Sequence, residues 1–378
     1  MSKTSRPTLL ILDGHSMAFR AFFALPVDNF ATSTGQHTNA VYGFVSMLIN
    51  LLRDEQPSHV AVAFDLAGGT FRTEQYGEYK GGRAPIPPEF PGQIDLIKEV
   101  LDALNIVHLE KPDYEADDIL ATMSTRATRK GMRTLVVSGD RDAIQLVNDD
   151  VTLLYPRKGV SDLLRLDPQA VEEKYLVPPA SYPELAALVG ESADNLPGVP
   201  GVGPKTAAKW LKSYDGLENL IREADSVKGK AGQSLRDHLE DVQRNRRLNA
   251  LVLDLDLDAD IDDLAHRPWN PEATRTLFES LEFRNLWDRV QALEGGEEEP
   301  AEAAGIQIDG KTLTAGGLAG WLAEHAGQRI GLEVTGSWSQ GTGDATGLAL
   351  GCQDGSALWL DPAELGPADD RELASWLA

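Results

Sequence analysis

The chain has 378 residues, 42 % of them hydrophobic, with one cysteine, Cys352, and a formal net charge of −24. That length accommodates two or three domains with packed cores, and one cysteine excludes an intrachain disulfide. No apolar run is long enough to span a bilayer, the start MSKTSRPTLLILDGHS lacks the apolar length and cleavage site of a signal peptide, and the acidic balance argues at first against a nucleic-acid partner.

These features read as a cytoplasmic protein with no membrane partner. The charge is uneven: roughly −11 of it falls after residue 294. Basic clusters remain upstream, at Arg72, Lys80 and Arg83, at Lys205, Lys209 and Lys212, at Lys228 and Lys230, and at Arg244, Arg246 and Arg247. Net charge therefore discriminates weakly between partners.

The first predicted element is a strand, TLLILD, ending at Asp13, followed by the aromatic stretch AFRAFFAL. A periodic segment, NAVYGFVSMLINLLRDEQ, reads as a helix. A second strand, HVAVAFD, ends at Asp65. Residues 70–93 break the pattern with Gly, Pro and four aromatics, Phe71, Tyr76, Tyr79 and Phe90. Such a long connection in an α/β unit is usually functional or disordered. Helix 94–104, strand 106–110, helix 115–130, strand 134–140 (TLVVSGD, ending at Asp140) and strand 151–155 follow. The alternation predicts an α/β fold with a mostly parallel sheet and right-handed crossovers. Residues 181–294 read as mainly helical, 295–305 as an acidic linker, and 306–378 as an incomplete α/β unit.

Runs that are apolar on both faces suit a parallel sheet covered by helices, whose ligands sit beyond the carboxyl ends of the strands. Asp13, Asp65 and Asp140 should therefore converge on one crevice. Three further groups join them: Glu115, Asp117 and Asp118 in YEADDILATM, Asp142 in GDRD, and Glu191 and Asp194 in GESADN. Taken singly, each has an ordinary explanation as a helix cap, a dipole-complementing acid or a solvated turn. Taken together they form a carboxylate cluster, which repels itself unless a hard cation such as Mg2+ or Mn2+ neutralises it. A fifth feature, LPGVPGVGPKTAAKWL over 196–211, places Gly201 and Gly203 before a helix start carrying Lys205 and Thr206. Its backbone N–H groups suit a phosphate, although the P-loop spacing is absent.

The motifs ILDGHSMAFRAFFAL, VAVAFD, FRTEQYGEYKGGR, YEADDILA, VVSGDRDAIQLV and NLPGVPGVGPKTAAKWL occur in one order over about three quarters of the chain. In this set, residues 8–290 resemble the 5′ nuclease domain of bacterial DNA polymerase I, within the flap-endonuclease superfamily. The resemblance implies a resolvase-like core over 1–180, a helical arch over 70–93, and a duplex-binding helical subdomain with a helix–two-turn–helix over 181–294. It implies two or more divalent ions held by Asp13, Asp65, Glu115, Asp117, Asp118, Asp140, Asp142, Glu191 and Asp194, and a K+ ion at the helix–two-turn–helix.

It also implies catalytic cations at Lys80 and Arg83. DNA contacts are implied at Arg20, Arg72, Tyr79 (stacking on an unpaired base), Gly201, Gly203, Lys205 and Thr206. The substrates implied are DNA flaps, nicks and gaps and RNA–DNA primer junctions, with a bacterial, nucleoid-associated location; two origins stay open, part of a longer chain with a covalently linked polymerase domain or a naturally short protein.

The chain departs from the family pattern in carrying Glu191 in place of Asp and Ala193 in place of Ser. Residues 306–378 resemble the start of a proofreading-type exonuclease domain, with Leu332 and Val334 where an active version carries an Asp-x-Glu pair. Two other readings compete: a PIN-like ribonuclease, which lacks the arch and the 196–211 element, and a catalytically weakened DNA junction-binding module, motivated by Glu191.

Overall fold

The computed structural model describes residues 6–82, 85–157, 162–294, 309–312, 317–325, 330–339, 342–352, 356–362 and 365–377. The chain divides into two compact units, Met1–Gly295 and Gly296–Ala378. No described helix is long and apolar enough to cross a membrane.

The first unit is built on a six-stranded sheet. Its strands are β1 (Thr8–Asp13), β2 (His59–Ala63), β3 (Val107–Leu109), β4 (Arg133–Val137), β5 (Val151–Pro156) and β6 (Leu163–Leu166), in the order β3-β2-β1-β4-β5-β6. β1 to β5 run parallel and β6 pairs antiparallel to β5. β1 is central, and its side chains feed two cores by simple alternation. Leu9 and Ile11 join one cluster with Ile119, Leu120 and Met123, whereas Leu10 and Leu12 join the other with Phe44, Leu48 and Phe64. All four are at most 1 % exposed. Each such leucine stabilises the unit by about 2 kcal/mol relative to an exposed one.

Because the chain moves from β1 outward through β2 and β3 before returning to β4, the strand order reverses between β1 and β4. Ligand crevices form at such a switch point. Helix α1 (Gly14–Ala24) begins with no intervening loop: Asp13 ends β1 and caps α1, its Oδ1 accepting from Ser16 N–H at 2.9 Å. Helices α2 (Asn39–Glu55), α3 (Phe71–Gln75) and α4 (Gln93–Ala103) follow β1 or β2. Helix α5 (Ala116–Arg129) covers the opposite face of the sheet from α2. Among the described residues of 70–93, the short helix α3 is followed by turns until α4 begins at Gln93.

Beyond the sheet lie α6 (Pro168–Tyr175), α7 (Tyr182–Val189), a two-residue hairpin of β7 (Gly190–Glu191) and β8 (Leu196–Pro197), α8 (Pro204–Tyr214), α9 (Leu217–Arg222), α10 (Gly229–Asp237) and α11 (Leu239–Leu248). The hairpin closes over two glycines. A Cβ at Gly198 would collide with the Val189 carbonyl, and Gly190 adopts φ +86° against Gly198. Gly198→Ala is therefore expected to destabilise the unit by about 1–3 kcal/mol, measured by urea unfolding. A loss under about 0.5 kcal/mol would show that the hairpin backbone shifts freely.

The stretch expected to be one helical subdomain divides in space. Residues 249–260 run along α5, with Arg126 donating to the carbonyls of Leu255 and Ala259. Helices α12 (Pro271–Ser280) and α13 (Arg284–Glu294) return to the core of α2 and α4, where Phe278, Phe283 and Leu286 are buried.

The second unit contains β9 (Asp309–Thr312), α14 (Leu318–Glu324), β10 (Ile330–Ser339), β11 (Thr342–Cys352), β12 (Ser356–Leu360) and α15 (Pro367–Leu377), with sheet order β10-β11-β12-β9. Leu318, Trp321, Leu348, Leu350, Leu358 and Leu360 form its core. On β10, Leu332 and Val334 pair with Leu350 and Leu348 and are 39 % and 37 % exposed. Glu333 lies between them and, by strand alternation, faces the other side.

Candidate metal centre and nucleic-acid interface

The sheet's carboxyl edge gathers the strand-end acids as the crevice rule requires. Asp13, Asp65, Asp117 and Asp140, with His15, Phe19 and Lys80, line a cavity of about 300 Å³. Asp13 is held on both oxygens, by Ser16 N–H and by Ser138 Oγ at 2.9 Å. Asp65 Oδ1 accepts from Ala116 N–H at 2.7 Å, which fixes the start of α5 against the end of β2. Ser138 Oγ also accepts from Asp140 N–H, and Asp140 Oδ1 accepts from Asp142 N–H, both at 3.0 Å. The β4 end thus aims Asp140 and Asp142 by local turn geometry.

A second cavity, of about 410 Å³, shares Gly139 and Asp140 with the first and is lined further by Glu191, Asp194, Tyr155, Tyr175 and Tyr182. Asp142, Glu191 and Asp194 each present one oxygen within 4.8 Å of the others. The extra methylene of Glu191 does not remove its carboxylate from this group.

The electrostatics of both clusters call for cations. Burial, then the Asp65 charge, pushes the Asp13 carboxyl up to about 7. Burial followed by Asp194 and Asp140 raises Glu191 to about 8. Asp117 and Asp142 are also raised well above the usual carboxylate range, first by burial and then by neighbouring acids. Asp117 Oδ1, Asp142 Oδ1 and Glu191 Oε2 are buried without a hydrogen-bond partner. Orphaned, mutually repelling carboxylate oxygens are what a hard divalent ion would satisfy. The donor set therefore fits such ions.

Glu115 lies beside the first cavity, its Oε1 accepting from Lys80 Nζ at 2.7 Å and its Oε2 from Tyr79 Oη at 3.3 Å.

Three expected sites have other roles. Arg72 is 1 % exposed and bidentate to Asp118, with Nη1 to Oδ2 at 2.6 Å and Nη2 to Oδ1 at 2.8 Å. Its Nε also donates to the Leu248 carbonyl. A guanidinium so enclosed does not reach DNA phosphates. Asp118, 0 % exposed, additionally accepts from Glu115 N–H and Val252 N–H, so its oxygens are committed within the protein rather than to a metal. Tyr79 is 5 % exposed and packs with Leu196 and Leu248, so its ring presents no face to a base.

Arg20 is half-buried on α1, and Arg83 lies outside the described residues. Gly201, with φ +80°, Gly203 and Lys205 are exposed, and Thr206 is half-buried, around the start of α8. Added Cβ atoms at Gly201 and Gly203 would meet nothing within 4 Å, so their outer surface is open to a ligand.

Sequence reasoning missed His15 and Ser138. The His15 Nδ1 accepts from Asp65 N–H at 3.2 Å, and burial lowers its pKa, so it is the neutral Nε2–H tautomer. Its position two residues after Asp13 was the available signal.

Residues 8–176 match the model of the 5′–3′ exonuclease N-terminal resolvase-like domain, and residues 177–272 match that of the 5′–3′ exonuclease C-terminal SAM fold. The chain belongs to the 5′–3′ exonuclease family. Its relatives include DNA polymerase I of Mycobacterium tuberculosis, 53 % identical over 379 residues covering 99 % of this chain and 42 % of the relative. DNA polymerase I of Bacillus subtilis is 40 % identical over 316 residues, covering 82 % of this chain and 35 % of the relative. This family member thus spans about two fifths, or less, of the length of those relatives.

A bacteriophage T5 flap endonuclease solved with DNA and metal ions shares the fold, with a TM-score of 0.54 at 20 % identity over 76 % of this chain and 97 % of that one. The catalytic core of Rad2, solved with a DNA substrate, has a TM-score of 0.51 at 14 % identity over 76 % of this chain and 92 % of that one.

Proposed function

We propose that this chain is a divalent-metal-dependent, structure-specific 5′ nuclease. It hydrolyses phosphodiesters at DNA flaps, nicks and gaps and at RNA–DNA primer junctions, as the nuclease part of a DNA polymerase I. The observation that carries this reading is the pair of adjoining carboxylate clusters that share Asp140. The T5 endonuclease and Rad2 cores, solved with DNA, share its fold.

In this reading Asp13, Asp65, Asp117 and Asp140 hold Mg2+ or Mn2+ in the first cavity, with Glu115 beside them. Asp140, Asp142, Glu191 and Asp194 hold it in the second. Divalent cations, when bound, polarise the phosphate and lower the pKa of attacking water. The side chains do the rest. Lys80, at the cavity wall, offers its ammonium to a non-bridging phosphate oxygen. Ser138 and Ser16 keep Asp13 aimed, and His15 keeps the Asp65 backbone in place. The open start of α8, with Gly201, Gly203, Lys205 and Thr206, takes duplex phosphates. Recognition is then of backbone and junction shape, with affinity falling steeply as salt rises.

The test is cleavage of a 5′-labelled double-flap DNA with Mg2+ or Mn2+, with EDTA as control. Metal-dependent flap release supports the nuclease. Tight junction binding without cleavage in either metal would leave a binding module instead. Glu191→Asp tests the departure from the family pattern. It is expected to preserve cleavage or raise it up to about threefold, since the charge stays while the reach shortens. Abolished cleavage would show that the longer side chain is required.

A further inference from the structure

The turn that carries Lys80 is bonded to the loop that carries Asp194, although 114 residues separate them. Lys80 N–H donates to the Asp194 carbonyl at 3.0 Å. Asn195 Nδ2 donates back to the Glu78 carbonyl at 2.8 Å, and the same carbonyl accepts from Gly81 N–H at 3.0 Å. Both Lys80 (φ 58°) and Asn195 (φ 56°) are left-handed. Asparagine tolerates that conformation, whereas lysine adopts it at a cost that its surroundings must offset. The two bonds run in opposite directions between residues 78–80 and 194–195, so they fix the turn in distance and in rotation. Below them, Tyr79 packs on Leu196, inside the same hairpin.

One end of this bridge belongs to the second carboxylate cluster through Asp194. The other end is Lys80, which lines the first cavity.

We propose that Asn195 is a positioning residue for the hydrolysis. Its side-chain amide holds the 78–81 turn so that the Lys80 ammonium stays registered against Glu115 and the carboxylates of the first cavity. This inference rests on the nuclease reading, but its structural half does not. Asn195 touches neither substrate nor reacting atoms in this scheme and acts only through Lys80.

The experiment uses Asn195→Gly, which removes the amide while keeping the left-handed backbone at no steric cost. Asn195→Asp is the second variant, similar in size but without the donor. Amide hydrogen exchange at Lys80 in metal-free protein is the first readout. Protection in the wild type and faster exchange in both variants are expected; unchanged exchange would overturn the bridge whether or not the protein cleaves DNA.

The second readout is flap cleavage. Asn195→Gly is expected to lower kcat about tenfold with KM within about twofold, and to have no further effect in a Lys80→Ala background, because coupled residues are non-additive. The same tenfold loss in the Lys80→Ala background would overturn the positioning role. A wild type that shows the protected amide and does not cleave would instead sink the nuclease reading.

Discussion

Asp140→Asn is expected to lower metal-dependent flap cleavage by about 10³-fold, a loss comparable to removing one preorganised electrostatic partner of a transition state. Asp140 lines both cavities, so its loss touches both clusters at once. The fold should not suffer, since an amide oxygen can still accept from Asp142 N–H. Removal of a negative charge from a self-repelling group should if anything raise the thermal midpoint of metal-free protein by about 2–4 °C, equivalent to about 1 kcal/mol. Cleavage within tenfold of wild type, in protein that melts normally, would overturn the site.

Burial of these acids, together with their mutual repulsion, has a pH signature with a definite sign. Asp13 and Glu191 have folded-state pKa values pushed up to about 7 and about 8, above ordinary carboxylates. The native chain therefore keeps protons that the unfolded chain releases. The contribution is fully present below about pH 4 and is lost as pH rises through about 7 to 8. Over that window metal-free protein should lose stability, and added Mg2+ or Mn2+ should restore it. A midpoint that rises with pH in EDTA would contradict the arrangement.

Arg72→Ala should destabilise the first unit by about 3–5 kcal/mol, the usual consequence of stripping a buried charge of its partner. Asp118 would be left 0 % exposed with two bidentate bonds gone, and the Leu248 and Ala250 carbonyls would lose a donor. Arg72→Lys should rescue little, because an ammonium cannot reproduce the planar fork. Arg72→Met with Asp118→Leu should recover part of the loss, since an apolar pair replaces two desolvated charges. Urea unfolding followed by circular dichroism measures each term. The contrasting outcome, near-normal stability with weaker DNA binding and a salt slope lower by about one, would restore Arg72 as a phosphate contact.

Arg72 also shows where sequence reasoning runs out. FRTEQYGEYKGGR places Arg72 near Lys80 in an irregular polar stretch, where a basic residue reads as a ligand contact. What encloses it lies far along the chain: Asp118 is 46 residues away, and the Leu248 carbonyl is 176. Tyr79 is covered in the same way, by Leu196 and Leu248.

By contrast, Asp13, Asp65 and Asp140 were legible from the chain alone. A strand buried on both faces is a short contiguous apolar run, the chain order of strands and helices implies a parallel sheet, and such a sheet gathers its strand ends at one edge. Local periodicity therefore determined the elements, the fold class and the existence of an acidic crevice.

The tertiary structure decided how the acids divide: Asp13, Asp65, Asp117 and Asp140 line one cavity, Asp140, Glu191 and Asp194 line another, Asp142 joins Glu191 and Asp194, and Asp118 is withdrawn to hold Arg72. It also returned α12 and α13 to the core of the first helices. The reason is physical. Backbone periodicity is set by neighbours a few residues apart, whereas the role of a charged side chain is set by its burial and its partner, and both come from whichever distant segment packs against it.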